Sequence, residues 1–308
     1  MGAISAVGLT KSYGDKAVLR GIDLDIPAGS VFALLGPNGA GKTTTVQILS
    51  TLIPADGGAA QVAGHDVVRQ TDGVRKAIGV TGQFSAVDNL LTAEENLMLM
   101  ADLNHLHRRE GRRRAEELLR RFELTEAARK PVAAFSGGMR RKLDLAMTLV
   151  GDPKVIFLDE PTTGLDPRSR RTMWEIIRGL VSDHGVTIFL TTQYLDEADQ
   201  LADRIAVLDG GRIVAEGTAE ELKRIVPGGL IRLHFADAAQ LGAAAGLFEY
   251  ATADADALRL DIPGDNSVLT VKAVLDTLDN ASVRAESLVV ETADLDDVFL
   301  TLTGEGAR

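Results

Sequence analysis

The chain of 308 residues contains no cysteine. Disulfide bonds, thiolate metal sites and a cysteine nucleophile are therefore excluded. The sequence also lacks any apolar run close to the ~18 residues that suggest a membrane-spanning helix. No basic segment precedes the first apolar residues, which argues against a secretory signal peptide. These absences fit a protein of the cytoplasm.

Positive charge is scarce relative to negative charge, with 33 lysines and arginines against 44 aspartates and glutamates. Most of the deficit follows residue 225, where 5 basic residues stand against 14 acidic ones. Because the chain is acidic and neither of its two parts is net basic, nucleic acid is not an expected partner. The shift in charge predicts a domain boundary near Pro227-Gly228-Gly229, and hence domains of residues 1–225 and 226–308.

The chain is organised around a glycine-rich segment, Gly36-Pro37-Asn38-Gly39-Ala40-Gly41-Lys42-Thr43, called here the phosphate loop. It matches G-x-x-x-x-G-K-[ST] and lies between a strand-like and a helix-like run, which is the setting the motif requires. Glycine lets the backbone approach phosphate oxygens closely, and the following helix start favours negative charge. Lys42 would supply a charge for the β- and γ-phosphates, and Thr43 a hydroxyl for Mg²⁺.

A second motif is the apolar run at residues 155–158, which ends in Asp159 and Glu160. An apolar run of this kind predicts a buried parallel strand, and ligands bind at the carboxyl ends of such strands. Asp159 would hold Mg²⁺ through a water, and Glu160 would accept a proton from the attacking water. A strand that ends in two solvated acids is the alternative, and the phosphate loop disfavours it because that loop already requires a metal ligand.

Several segments allow two interpretations from the residues alone. Ser136-Gly137-Gly138, called here the signature segment, precedes an apolar helix and is either a second anion site or an ordinary capped helix start. Tyr13 could stack on a base or lie half-buried in a strand, and Gln83 could reach a metal or water from the end of a strand. The arginine-rich stretch at residues 108–122 favours a solvated helix face over a contact with a partner or anionic lipid.

Strand-like and helix-like runs alternate up to residue 208, which predicts an α/β protein with a mainly parallel sheet. Beyond residue 229 the pattern changes to that of a small α+β domain without a catalytic constellation. The strands expected there lie at residues 230–235, 258–262 and 287–291. The helices expected there lie at residues 238–247, 267–278 and 295–302.

Together these motifs resemble the ATP-binding subunits of ABC transporters, with the whole motif series in order over residues 4–225. The resemblance implies a P-loop NTPase fold with a RecA-like core, an N-terminal antiparallel β-subdomain and a helical subdomain at about residues 85–150. A small acidic accessory domain would follow at residues 226–308. The resemblance also implies that the cofactors are ATP and Mg²⁺.

The resemblance implies a role for each motif. Tyr13 is similar to the adenine-stacking aromatic, and the signature segment looks like the ABC signature with Met139 and Arg140 variant in its last two places. The implied ATP-binding residues are Tyr13, Gly36, Pro37, Asn38, Gly39, Ala40, Gly41, Lys42, Thr43, Thr44, Ser136, Gly137, Gly138 and Asp166. The implied metal-binding residues are Thr43, Gln83 and Asp159. The implied catalytic residues are Glu160, Gln193 and Gln83.

Within this superfamily, residues 190–199 and the tail at residues 295–304 are most similar to daunorubicin-resistance ATP-binding proteins, which power multidrug efflux. The similarity implies export of a drug or antibiotic through a separate integral membrane permease, with the chain peripheral on the cytoplasmic side. It further implies a homodimer with ATP between the phosphate loop of one copy and the signature segment of the other. The alternatives are a non-transport ABC ATPase, disfavoured by the single ATP-binding unit, and an importer ATPase, disfavoured by the tail.

One residue departs from the pattern of most ABC subunits, which have histidine where this chain has Gln193. A glutamine amide can donate a hydrogen bond, but it cannot be protonated. Since the drug-efflux relatives resemble this chain here, we expect an active site whose hydrolysis step proceeds without a histidine-like switch.

Overall fold

The computed structural model describes residues 2–82, 86–225, 229–264, 267–291 and 294–303. Contacts between Cα atoms divide the chain into two compact units, Met1–Ala219 and Glu220–Arg308. The division lies close to the shift in charge noted above. Over the described ranges, every helix is too short or too polar to cross a membrane.

The first unit contains two sheets. Its strands are β1 (Gly2–Tyr13), β2 (Lys16–Pro27), β3 (Val31–Leu35), β4 (Gly57–Val62), β5 (His65–Asp66), β6 (Ile78–Thr81), β7 (Val155–Asp159), β8 (Thr187–Thr192), β9 (Arg204–Asp209) and β10 (Arg212–Gly217). The first sheet has the order β2-β1-β4-β5 and is antiparallel. The second has the order β10-β9-β3-β8-β7-β6, and its strands are parallel except for β10.

The central strands of the parallel sheet are buried along their length, as is typical of parallel strands whose two faces are covered. Every residue of β3, β7 and β8 is buried. Phe189 on β8 links its two neighbours, since its ring centroid lies 5.6 Å from that of Phe32 and 5.6 Å from that of Phe157. This core fixes the three strands whose carboxyl ends carry the motifs identified above.

The helices of the first unit connect these strands. They are α1 (Lys42–Leu49), α2 (Thr71–Ala77), α3 (Ala93–Leu103), α4 (Arg108–Arg121), α5 (Gly137–Thr148), α6 (Pro167–His184) and α7 (Leu195–Leu201), and α8 (Ala219–Lys223) begins at the division between the units. Three of them, α3, α4 and α5, lie between β6 and β7 in the chain, within the range expected for a helical subdomain. On the arginine-rich α4, the ion pair within the helix joins Arg114 to Glu117 at 3.4 Å.

The second unit has its own core. Its elements are β11 (Gly229–His234), α9 (Ala238–Ala245), β12 (Thr252–Asp254), β13 (Arg259–Gly264), α10 (Val268–Asn280), β14 (Ser287–Glu291) and α11 (Leu295–Thr303). The strands form an antiparallel sheet in the order β12-β13-β11-β14. Ile231, Leu233 and Leu260 are fully buried in its hydrophobic cluster. All three expected strands and all three expected helices are present, and the short β12 was not expected.

Candidate nucleotide-binding and catalytic site

The phosphate loop connects β3 to α1 at the carboxyl end of the parallel sheet. The amide of Gly36 donates to the carbonyl of Thr192 at 3.2 Å, which joins the loop to β8. A Cβ atom on Gly36 would collide with the backbone of β9. Gly39 and Gly41 have φ angles of 82° and 115°, which residues with a side chain rarely adopt. The conformation of the loop therefore depends on glycine at these three positions.

Lys42 begins α1 and is only 5% exposed. Its Nζ donates to the carbonyls of Gly36 at 2.7 Å and Pro37 at 3.1 Å, and lies 3.7 Å from Oε1 of Glu160. Burial lowers the pKa of Lys42, whereas the carboxylates of Glu160 and Asp159 oppose that shift. The ammonium is thus a compact positive charge, held against the loop that would receive phosphates.

Asp159 ends β7 and is 4% exposed. Its Oδ2 accepts a hydrogen bond of 2.9 Å from Oγ1 of Thr43, and its Oδ1 accepts one of 2.5 Å from Oγ1 of Thr191. The structure therefore brings together Thr43 and Asp159, the hydroxyl and carboxylate predicted to hold the metal. Thr191 was not predicted, although it stands out as a hydroxyl residue at the end of an apolar strand next to β7.

These oxygen donors fit Mg²⁺, which prefers carboxylate, hydroxyl and water oxygens. Across the described part of the chain, there is no group of three or more histidine, aspartate or glutamate side chains that could hold a metal ion. A magnesium ion bound at Asp159 and Thr43 would therefore need oxygen ligands from water or from a nucleotide. That requirement is typical of a metal that enters together with its phosphate substrate.

Glu160 follows β7 and has a φ angle of 50°, in the left-handed region. Its amide donates to the carbonyl and hydroxyl oxygens of Thr191 at 3.1 and 3.2 Å. Its Oε2 accepts a hydrogen bond of 3.3 Å from Oγ1 of Thr163, and its side chain is 11% exposed. The carboxylate thus lies beside Lys42 with one oxygen held by a hydroxyl, in a position to accept a proton within the same cleft.

Lys42, Thr43 and Glu160 line a cleft of about 370 Å³. The described residues that line it are Lys16, Val18, Asn38, Gly39, Gly41, Lys42, Thr43, Thr44 and Glu160. Lys16 and Val18 were not predicted, and they belong to the hairpin of β1 and β2. The one feature of the sequence that could have identified these two residues is their position after the turn that follows Tyr13. Tyr13 itself lies at the end of β1, half exposed, with Nζ of Lys11 5.7 Å from its ring centroid, and is not among the lining residues.

Gln193 follows β8 directly and is half-buried. In the parallel register, Thr192 pairs with Leu35, the last residue of β3. Gln193 therefore leaves the sheet at the same edge as the start of the phosphate loop. Gln83 lies outside the described residues, and so does the segment that follows it up to residue 85.

The signature segment begins α5. Ser136 caps this helix by accepting a hydrogen bond of 3.2 Å from the amide of Met139, as the capped-helix interpretation predicts. Ser136 and Gly137 are exposed, and Gly138 is half-buried. A Cβ atom on Gly138 would lie 2.8 Å from Oγ of Ser169, at the start of α6. Of the described residues that line the cleft, none belongs to the signature segment.

Asp166 caps α6 beside the signature segment. It accepts hydrogen bonds of 3.0 Å from the amides of Arg168 and Ser169, and one of 2.6 Å from Oγ of Ser169. The hydrogen bond from the Ser169 side chain, together with those backbone bonds, holds the pKa of Asp166 below its usual value. Since Ser169 also lies against Gly138, Asp166 and the signature segment form one surface that is separate from the residues lining the cleft.

Known proteins share this fold. A sequence model described as ABC transporter matches residues 19–163. A solved structure of the ATP-binding subunit of an ABC transporter has a TM-score of 0.65 and 29% identity, covering 72% of this chain and 92% of that chain. The expected fold class, an α/β ATPase core with an added antiparallel sheet, is confirmed.

Relatives that match nearly the full length of the chain show its group within this family. A daunorubicin resistance ATP-binding protein of Streptomyces coeruleorubidus is 50% identical over 99% of this chain and 97% of its own length. A daunorubicin/doxorubicin resistance ATP-binding protein of Streptomyces peucetius is 46% identical over 99% of this chain and 93% of its own length. The chain therefore belongs to the family of ABC transporter ATP-binding proteins, in the group that includes the daunorubicin resistance ATP-binding proteins.

Proposed function

We propose that the chain is the ATP-hydrolysing subunit of a transporter that exports a drug or antibiotic through a separate membrane permease. The observation that carries this proposal is that Lys42, Thr43 and Glu160 line one cleft and that Thr43 is bonded to Asp159, in a chain that matches a drug-resistance ATP-binding protein over 99% of its length. The family match over residues 19–163 would suit importers and exporters equally. The full-length similarity supports the exporter.

In this proposal four side chains of the site have separate tasks. Lys42 and the amides of the phosphate loop bind the β- and γ-phosphates of ATP. Thr43 and Asp159 would hold Mg²⁺, which would neutralise charge on the phosphate oxygens. Glu160 accepts the proton of the attacking water, and Thr163 orients its carboxylate through the hydrogen bond to Oε2.

Two glutamines have proposed roles beside these groups. Gln193 would donate an amide hydrogen bond to the transferred phosphoryl group, because its segment leaves the sheet next to the phosphate loop. Gln83 would add a ligand to Mg²⁺, since β6 ends shortly before it and lies beside β7 in the sheet. Neither role requires a side chain that gains or loses a proton.

The adenine would stack on Tyr13. The ring is half exposed, and the hairpin that carries it also supplies Lys16 and Val18 to the cleft. An aromatic face can stack on a base without hydrogen-bond selection. The support for this role is therefore the position of Tyr13 on the hairpin, since Tyr13 is not among the residues that line the cleft.

The signature segment would complete the site of a second copy of the chain. Ser136 and Gly137 are exposed at a helix start, which is suited to bind an anion, yet the cleft is lined without them. Two copies related by a two-fold axis would each contribute a phosphate loop to one site and a signature segment to the other. Asp166 would lie at the same interface, because it holds Ser169 against Gly138.

The permease and the position at the membrane follow from the exporter function. A permease of this kind would cross the membrane with several helices of about 20 apolar residues each. The chain would be peripheral, bound to that permease on the cytoplasmic side.

Co-purification tests the proposal. The full-length chain, tagged and recovered from membranes of its native host, should bring down an integral membrane protein, which mass spectrometry identifies. The complex should hydrolyse ATP, and its disruption should sensitise the host to the exported drug. Recovery of the chain without any integral membrane protein would contradict the exporter function and favour a non-transport ATPase.

A further inference from the structure

Arg141 lies on α5, shortly after the signature segment, and its side chain is 13% exposed. Its guanidinium reaches the turn that follows β7. Nε donates to the carbonyl of Pro161 at 2.8 Å, and Nη2 lies 3.3 Å from the carbonyls of both Asp159 and Glu160. One side chain therefore binds three successive carbonyls around the proposed catalytic base.

The same guanidinium also binds the backbone immediately before residues 83–85. Nη1 donates to the carbonyl of Gly82 at 3.2 Å and to Oδ2 of Asp144 at 3.1 Å. Oδ1 of Asp144 accepts a hydrogen bond of 3.0 Å from the amide of Ala86. The Arg141–Asp144 pair thus binds the backbone on both sides of residues 83–85 and the turn after β7.

Glu160 needs such support because its backbone conformation is unfavourable. A φ angle of 50° places it in the left-handed region, which is unfavourable for a residue with a side chain unless its surroundings hold it there. Thr191 binds the amide of Glu160, and Arg141 binds its carbonyl. These two contacts hold the peptide groups on both sides of the Glu160 Cα atom.

We propose that Arg141 is a positioning residue for ATP hydrolysis, which together with Asp144 fixes the turn carrying Glu160 and the backbone at Gly82 and Ala86 to the helix of the signature segment. The inference rests on the proposed function of Glu160. Arginine suits the task because its planar guanidinium offers five donors in fixed directions, which the single nitrogen of lysine cannot reproduce. Arg141 does not line the cleft, so its removal should affect the hydrolysis step rather than nucleotide binding.

The test compares three variants of the full-length chain, together with its membrane partner where one co-purifies. Arg141→Lys keeps the charge, Arg141→Ala leaves space for free guanidinium ion, and Lys142→Gln is the control. Lys142 is on the same helix and pairs with Glu123 at 2.9 Å, away from the turn after β7. Nucleotide affinity is measured with a fluorescent ATP analogue, turnover by phosphate release, and folding by the melting temperature.

Arg141→Lys should lower kcat by about 10- to 100-fold, the cost of a misplaced catalytic group. The affinity for the ATP analogue should stay within about threefold, because the cleft keeps its own side chains. Added guanidinium chloride should restore part of the turnover of Arg141→Ala but not of Arg141→Lys. Lys142→Gln should match the wild-type chain in all three measurements.

Turnover of Arg141→Lys at the wild-type rate would overturn the inference. So would a parallel loss of affinity, melting temperature and turnover, since that result indicates a purely structural role. If Arg141→Ala does not fold, Arg141→Lys decides the question alone. The proposed function has a separate criterion: it fails if the wild-type chain does not hydrolyse ATP, or if Glu160→Gln turns over normally.

Discussion

Thr43 and Asp159 are joined by a hydrogen bond of 2.9 Å although they are 116 residues apart in the chain. The contact joins the first turn of α1 to the end of β7, so the two residues proposed to hold magnesium lie together in the folded chain. Thr191 holds the other carboxylate oxygen of Asp159. The oxygen donors proposed for the metal are therefore oriented by the protein itself.

The first prediction concerns the proposed base. Glu160→Gln keeps the shape of the side chain but cannot accept a proton. We expect ATP hydrolysis to fall by about 10²- to 10⁴-fold, the usual contribution of general base catalysis, while ATP binding is retained. Phosphate release and equilibrium binding of a fluorescent ATP analogue measure the two effects. Undiminished turnover would remove Glu160 as the base.

Thr191→Val tests the support of the metal ligand. Valine has nearly the same shape as threonine, but it lacks the hydroxyl that donates to Asp159 and accepts from the amide of Glu160. We expect the Mg²⁺ concentration for half-maximal turnover to rise by about 10- to 100-fold, as for other groups that orient a metal ligand. A Mg²⁺ titration of phosphate release measures it. Thr187→Val, at the other end of β8, serves as control, and an equal shift in that variant would contradict the prediction.

The proposal that two copies share their sites predicts complementation between two inactive chains. Ser136→Arg places a bulky charge in the signature segment, and Lys42→Ala removes the ammonium from the phosphate loop, so each variant alone should be inactive. In a mixed dimer, Lys42 of one copy and Ser136 of the other form one intact site. Random pairing should restore roughly a quarter of the wild-type turnover. Phosphate release from the mixture measures the recovery, and its absence would argue against sites shared between copies.

Glu197 predicts a pH dependence of stability. The residue is fully buried, and its Oε1 accepts hydrogen bonds from Thr162 at 2.7 Å and from the Trp174 indole at 3.2 Å. Burial raises the pKa of Glu197 above its ordinary value of 4.5, and hydrogen bonds from the side chains of Thr192, Thr162 and Trp174 oppose that shift. Between pH 4.5 and the raised pKa, the folded chain holds a proton that the unfolded chain has lost.

The stability that this proton contributes is complete below pH 4.5 and is lost as the pH rises through the raised pKa. Glu197→Gln should therefore remove a decline of at most about 1.4 kcal/mol per pH unit from the free energy of unfolding. Denaturant unfolding at several pH values measures the slope for the wild-type chain and the variant. Glu126→Gln, an exposed control, should follow the wild-type curve. Parallel curves for the wild type and Glu197→Gln would contradict the prediction.

Much of the site was predictable because its motifs are local. The phosphate loop and the carboxylates after β7 are continuous segments whose flanking runs reveal strand and helix. Thr191 and Arg141 were missed because their contacts are made between different elements, and the pattern of one element does not show what packs against it. Tyr13 was assigned from its position in the motif series, whereas the structure lines the cleft with Lys16 and Val18 from the same hairpin.

The class of chemistry follows from the motifs alone, because a glycine loop ending in Lys42 and Thr43 and a strand ending in Asp159 and Glu160 leave few alternatives to nucleotide hydrolysis. The groups that hold these residues in place are visible only in the folded chain. The parallel register of β7 and β8 brings the Thr191 hydroxyl to Asp159, and the packing of α5 brings Arg141 to the carbonyl of Glu160. Such contacts depend on directions in space, which the residue pattern of a single strand or helix does not contain.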